Sequence, residues 1–139
     1  MIPSEKFIKV ACEIFILKNN RLLLGKRKNC YGAGSWGLPG GHLEYGEKLI
    51  DCARRELQEE LGIQDATLTL ATIVDDPRED QHYVHVTFKL ENFEGTIALK
   101  EPDRCEEWKF FPIADLPENI FIGHQKILKT FQKETLYLG

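Results

Sequence analysis

The 139-residue chain has the length of one ordinary domain, and its 42% apolar and 29% charged residues suit a buried core with a solvated surface. A net charge of −4 and a pI of about 5.6 argue against a nucleic-acid polymer as partner, because proteins that hold one usually carry a basic stripe. A small phosphorylated partner stays open, because a divalent cation can bridge carboxylates and phosphates. Cys12, Cys30, Cys52 and Cys105 have neither CxxC spacing nor histidine companions, so zinc ligation is not expected. The N-terminal MIPSEKFIKV carries no apolar run long enough for a signal peptide or a membrane span. The chain is therefore expected to be cytoplasmic, with reduced thiols and no membrane partner.

Residues Phe7 to Leu17, rich in Ile, Val and Phe, read as a strand; Asn19-Asn20 turns the chain into a second strand from Arg21 to Arg27. A Gly-rich loop from Asn29 to Gly46 follows, broken by the short Ser35-Trp36-Gly37-Leu38 segment. Helical spacing from about Glu47 to Leu61 puts Leu49, Ile50, Ala53, Leu57 and Leu61 on one side, and Gly62 stands where a C-cap belongs. Strands are expected again at Ala66 to Val74 and at His82 to Leu90, where Val84, Val86 and Phe88 alternate. Between them Asp75 to Asp80 reads as a polar, mobile loop. A last strand around Trp108 to Phe111 leads through Pro112 and Pro117 to a helix from His124 to Lys133. The order β-β-loop-β-α-β-β-β-α implies one α+β domain over residues 1–139, an α/β/α sandwich with a mixed sheet flanked by helices.

The chemistry concentrates in the loop and first helix. Glu56, Glu59 and Glu60 stand at i, i+3 and i+4, so their carboxylates share a band about 100° wide beside the apolar side. Like charges so crowded are unfavourable unless a hard cation with oxygen ligands neutralises them. Arg55, four residues before Glu59, can pair with it. Glu47 lies half a turn out of phase with Glu56, so it sits at the loop–helix junction or supports the cluster from behind. In Pro39-Gly40-Gly41 the missing Cβ atoms let the backbone come close to a phosphate or a metal.

Gly41, Glu47, Arg55-Glu56-Leu57, Glu59-Glu60 and Gly62-Ile63 match the Nudix box, G-x5-E-x7-R-E-U-x-E-E-x-G-U with U aliphatic, at every specified position. Chance agreement in a chain of this length is on the order of 10⁻⁸. The chain thus resembles the Nudix hydrolases, which implies the Nudix fold and metal-dependent cleavage of a diphosphate linkage. That resemblance implies Mg²⁺, with Mn²⁺ as a substitute. It makes Glu56, Glu59 and Glu60 both metal ligands and catalytic groups, with Glu47 and Arg55 supporting them and the Gly40 carbonyl as a further ligand. A further acid from outside the box is expected near the last strand, from Glu106 or Glu107.

Leu23 to Lys28, Gly32-Ala33-Gly34-Ser35, Leu38 to Glu44, His82-Tyr83-Val84 and Glu106-x-Trp108 are similar to the MutT-homologue branch that splits nucleoside triphosphates into monophosphate and diphosphate. That similarity implies a small nucleotide substrate, with Arg27 and Gly41 near its phosphates, Trp108 against its base, His42 or His82 in contact with it, and a homodimer. Hydrolysis of nucleoside-diphosphate sugars or dinucleoside polyphosphates is the alternative. A Nudix domain that only binds a nucleotide has no chemical need for an intact glutamate cluster.

Overall fold

The computed structural model describes residues 6–133 and 135–139; the start of the N-terminal segment searched for targeting signals lies outside them. Strand β1 (Ile8–Lys18) turns at Asn19 and Asn20 into β2 (Arg21–Arg27). Both asparagines take positive φ, 51° and 59°, as a tight two-residue hairpin demands, and Asn tolerates this better than most residues.

β1 organises the sheet. One edge pairs in parallel with β6 (His82–Leu90), from Ile8 opposite His82 to Ile16 opposite Leu90. Its other edge is divided between two partners. Leu17 and Lys18 stay with β2, whereas Ala11 to Glu13 pair with β4 (Gly40–His42). β2 pairs instead with β3 (Trp36–Gly37) on one edge and β7 (Cys105–Pro112) on the other. β5 (Thr69–Pro77) joins β6 antiparallel, and β8 (Tyr137–Leu138) runs parallel outside β5. Because β1 and β2 part after their hairpin, a cleft opens that is lined by Ala11 and Glu13 from one and Gly25 and Arg27 from the other.

Side-chain alternation along β1 feeds two cores. Cys12, Ile14 and Ile16 pack with Val86 and Phe88 beneath α1 (Leu49–Leu61), which contributes Cys52, Ala53, Leu57 and Leu61. Phe15, with Leu22, Leu24 and Val74, packs beneath α2 (Ile122–Lys133) against Ile127 and Leu128. Burying each of these leucines contributes about 1.5–3 kcal/mol. The result is the expected α/β/α sandwich around a mixed sheet. Gly62 caps α1 as expected, at φ +70°, with its N–H on the Gln58 carbonyl at 3.1 Å.

Several boundaries differ. α1 starts at Leu49 rather than Glu47, with Lys48 as its N-cap, so Glu47 lies in the preceding turn. Leu49 is 38% exposed, and Cys52 takes the core position expected of it. Asp75 to Asp80 is not a loop throughout: Asp75, Asp76 and Pro77 complete β5 opposite Val84, Tyr83 and His82, and the Arg78 N–H closes the hairpin on the Gln81 carbonyl at 2.7 Å. β5 begins at Thr69 rather than Ala66, and β7 at Cys105, three residues earlier than expected. The Gly-rich loop holds two short strands, β3 and β4, because its backbone groups are paired by β2 and β1. β8 was not expected at all.

Candidate active site

β4 and α1 build one wall of the cleft. Gly40 sits at φ +153° with its Cα so close to β1 that a Cβ would collide with the Cys12 carbonyl and lie 2.8 Å from the Glu13 Cα. At Gly41 a Cβ would lie 2.6 Å from the Glu56 Cδ, so the bare backbone admits the Glu56 carboxylate. Glu56 is buried, Glu59 is exposed on the next turn, and Glu60 accepts a hydrogen bond from the Gly40 N–H at 3.3 Å.

Arg55 organises these acids. Its Nε donates to Glu47 Oε2 at 2.7 Å and its Nη2 to Glu47 Oε1 at 3.1 Å, while Nη1 donates to Glu56 Oε1 at 2.8 Å and Glu59 Oε2 at 3.2 Å. Both alternatives for Glu47 hold together: it lies at the junction and braces the arginine. The bond to Arg55 pulls the Glu47 carboxyl down to about 2. Glu56 moves the other way. Burial raises it, the hydrogen bond with Glu60 and the Arg55 charge offset part of this, and Glu59 adds to the rise. Burial and the neighbouring Glu56 push Glu60 well above the usual carboxylate range.

A divalent cation fits this donor set chemically. Hard oxygens crowd together, and their proton affinities are raised by burial and mutual repulsion, which a cation relieves. Among the described residues no three His, Cys, Asp or Glu side chains are arranged to hold a metal ion as they stand. Glu59 is turned to Arg55 instead.

Opposite this wall lie Arg27, Tyr31, Phe121 and Trp108, around a cleft of about 580 Å³. The Arg27 guanidinium lies 3.8 Å over the Phe121 ring and its Nε donates to the Tyr31 carbonyl at 3.0 Å. Trp108 both packs against the core under α1 and lays its ring on Gly25, where a Cβ would come within 2.6 Å of it. His42 lines the cleft with its Nε2 at 2.9 Å from the Tyr83 hydroxyl, whereas His82 does not reach the cleft. Glu106 and Glu107 are both exposed, neither lines the cleft, and Glu106 is 3.7 Å from Lys26. The reason is local: a register shift gives β7 an extra residue between Cys105 and Trp108, so those two face the cleft and the glutamates between them do not. Glu101, just before β7, lines the cleft in their place, its carboxyl raised by burial and by the nearby Glu56.

Four further residues went unnoticed in the sequence. Glu13, Asp76, His85 and His124 are each less than a tenth exposed; Glu13, His85 and His124 line the cleft, and Asp76 is bonded to His85. His85 Nδ1 is 2.9 Å from Glu13 Oε2 and its Nε2 3.2 Å from Asp76 Oδ2. Burial lowers the His85 affinity for a proton, but the carboxylates on either side outweigh it and the net shift is upward. A lone Glu inside the apolar run of β1 was the one signal available.

Buried carboxylates braced by an arginine stand at the rim of a cleft sized for a small molecule, the donor types that metal-assisted hydrolysis uses. Residues 8–131 match the NUDIX domain. The chain belongs to the Nudix family and is an enzyme of the Nudix hydrolase class. It is 35% identical over 126 residues to an ADP-ribose pyrophosphatase of Methanocaldococcus jannaschii, covering 89% of this chain and 73% of that one. It is 33% identical over 112 residues to an oxidized purine nucleoside triphosphate hydrolase of Danio rerio, covering 78% and 69%. The crystal structure of a MutT NUDIX hydrolase from Burkholderia pseudomallei superposes with a TM-score of 0.81 at 34% identity, covering 89% of this chain and 98% of that one. Among the described residues no helix is long and apolar enough to cross a membrane.

Proposed function

We propose that the protein hydrolyses a nucleoside triphosphate to the monophosphate and diphosphate, with Mg²⁺ or, as a substitute, Mn²⁺. The observation that carries this reading is the pairing of buried Glu56 with Glu60 beneath the bare backbone of Gly40 and Gly41, at the rim of a nucleotide-sized cleft. Glu56, Glu59 and Glu60, with the Gly40 carbonyl, would hold the cation; when bound it neutralises charge on the phosphate oxygens. Arg55 keeps Glu56 and Glu59 in place, and Glu47 fixes Arg55. A carboxylate of this group takes the proton of the attacking water. Arg27 and the Gly41 backbone meet the phosphates, and Trp108 and His42 border the nucleoside. The relatives named for nucleoside triphosphate hydrolysis support this substrate.

A second reading rests on the 35% identity to the ADP-ribose pyrophosphatase: the same cleavage within a nucleoside-diphosphate sugar. Product analysis with Mg²⁺ separates the two. Diphosphate released in equal amount to nucleoside monophosphate supports the first; AMP with ribose 5-phosphate from ADP-ribose, and no diphosphate from any triphosphate, would replace it with the second. We place the enzyme in the cytoplasm as a homodimer. Sedimentation equilibrium tests the assembly: twice the 16.0 kDa chain mass is expected, and a concentration-independent monomer would contradict it.

A further inference from the structure

Four arginines line the cleft, and they fall into two pairs. Arg55 meets Glu47 at 2.7 Å, and Arg78 meets Asp76 at 3.4 Å. Arg27 and Arg104 have no carboxylate within 4 Å among the described residues, in a chain whose 22 acidic residues outnumber its 18 lysines and arginines. Arg27 uses its Nε on the Tyr31 carbonyl, which leaves both Nη groups unbonded among the described residues. Arg104 is exposed where it lines the cleft. The acid at the start of its turn, Glu101, is raised by burial and by Glu56, and the Arg104 charge draws it back only in part.

The backbone holds these two arginines on neighbouring segments. Arg27 stands opposite Cys105 in the β2–β7 ladder, and the Lys28 N–H donates to the Arg104 carbonyl at 2.9 Å. Lys28 Nζ donates to the Pro102 carbonyl at 3.3 Å and Asn29 Nδ2 to that of Asp103 at 3.0 Å, so the turn carrying Arg104 is pinned to the end of β2. Two guanidinium groups without counter-charge favour an anion beside them, as the crowded glutamates favour a cation. Their planar forks fit phosphate oxygens two at a time. Arg27 is half-buried and Arg104 exposed, so they succeed one another from the interior of the cleft towards solvent. The outer group of a phosphate chain carries the most charge, and keeping it at the solvent end avoids the cost of burying that charge.

We propose that Arg104 is a further substrate-binding residue, which together with Arg27 holds the phosphate chain and takes its outermost phosphate. The inference rests on the nucleoside triphosphate reading of this cleft. It goes beyond that reading by naming a residue that favours a triphosphate over a nucleoside-diphosphate sugar, which has no phosphate to place there.

Calorimetric titration of inorganic triphosphate, without metal and at fixed ionic strength, tests this without turnover. Wild type is compared with Arg104→Gln and with Lys109→Gln, which removes an exposed charge on β7 outside the cleft. Arg104→Gln is expected to weaken binding roughly tenfold, the effect of one charge-assisted hydrogen bond, and Lys109→Gln by less than twofold. ADP-ribose, titrated in parallel, should lose less than twofold in Arg104→Gln. Equal losses in the two variants would reduce the effect to net charge and overturn the assignment. So would a tenfold loss for ADP-ribose, which would put Arg104 on the inner phosphates, or a wild type that takes up no triphosphate at millimolar concentration. If Arg104→Gln does not fold, Arg104→Lys, which keeps the charge without the fork, should still lose at least threefold; an unchanged affinity would overturn the assignment. Diphosphate release is measured separately. Triphosphate hydrolysis with no role for Arg104 is thereby distinguished from a triphosphate-binding protein that does not hydrolyse.

Discussion

Arg55 and Glu47 form a two-pronged ion pair, Nε to Oε2 at 2.7 Å and Nη2 to Oε1 at 3.1 Å, that joins the turn before α1 to the middle of the helix. The parallel fork is the geometry in which arginine and carboxylate bind most strongly. Its remaining nitrogen is left to hold Glu56 and Glu59. Arg55→Lys keeps a charge but cannot serve both prongs and also Glu56 and Glu59. Turnover is expected to fall at least tenfold with KM changed less than threefold, as measured by steady-state kinetics. A change confined to KM would mean that Arg55 touches substrate instead.

The same pair sets an acid limit on stability. Glu47 is held at about 2, below the 4.5 of an unperturbed glutamate. A depressed carboxylate stabilises the fold above its unfolded value, and that stability is lost as the pH falls through the folded value. Wild-type protein should therefore lose stability against Glu47→Gln as the pH drops from about 4.5 to 2, measured by urea unfolding. A constant difference between the two proteins across that window would show that the ion pair contributes nothing.

Glu60 has the opposite sign. Its folded value is raised by burial and by Glu56, so the fold is favoured while Glu60 is protonated and loses stability as rising pH ionises it. At neutral pH and without divalent cations, Glu60→Gln should melt higher than wild type, by roughly 2–4 °C for each kcal/mol of repulsion removed. Adding Mg²⁺ should raise the wild-type melting temperature and close the gap, since only the wild type gains a ligand. A variant that melts lower at every Mg²⁺ concentration would remove the like-charge explanation.

Two substitutions separate the expected outer acid from the observed one. Glu106→Gln, on the exposed bulge of β7, should leave kcat/KM within about twofold, as surface changes away from a site usually do. Glu101→Gln, inside the cleft, should lower it at least tenfold and raise the Mg²⁺ concentration needed for half-maximal rate. Reversed effects would return the role to Glu106.

Gly40 and Gly41 should fail differently when replaced by alanine. Gly40→Ala sets a Cβ against the β1 backbone at a φ of +153°, so loss of stability by about 2 kcal/mol or more is expected on unfolding. Gly41→Ala meets only the Glu56 carboxylate, a movable side chain, and should melt near wild type while turnover drops at least tenfold. Equal loss of stability in both would mean that Gly41 serves packing.

The parts legible in the sequence were those written within one element. Glu56, Glu59 and Glu60 share a helix, so spacing alone groups them, and the Gly62 cap follows from the end of the apolar pattern. The floor of the cleft is assembled otherwise. Glu13, Asp76 and His85 stand on β1, β5 and β6, and it takes the parallel β1–β6 register, with Ala11 opposite His85, and the antiparallel β5–β6 register, with Val74 opposite His85, to bring them together. No local pattern encodes a pairing between residues 72 positions apart. The misplacement of Glu106 has a similar origin: one extra residue in β7 turns the glutamates out, and a bulge leaves no mark in a simple alternation. Asp75 and Asp76 read as a loop because charge is rare in strands, yet His85 and the β6 backbone supply their partners.

The most direct test of the central claim is the rate of diphosphate release from nucleoside triphosphates with saturating Mg²⁺, compared among wild type, Glu59→Gln and Glu60→Gln. The expected result is stoichiometric diphosphate and monophosphate from the wild type and a fall of at least about 100-fold in both variants, with circular dichroism and melting showing folded protein. Unchanged turnover in either folded variant would contradict the assignment of the α1 glutamates as the catalytic metal site.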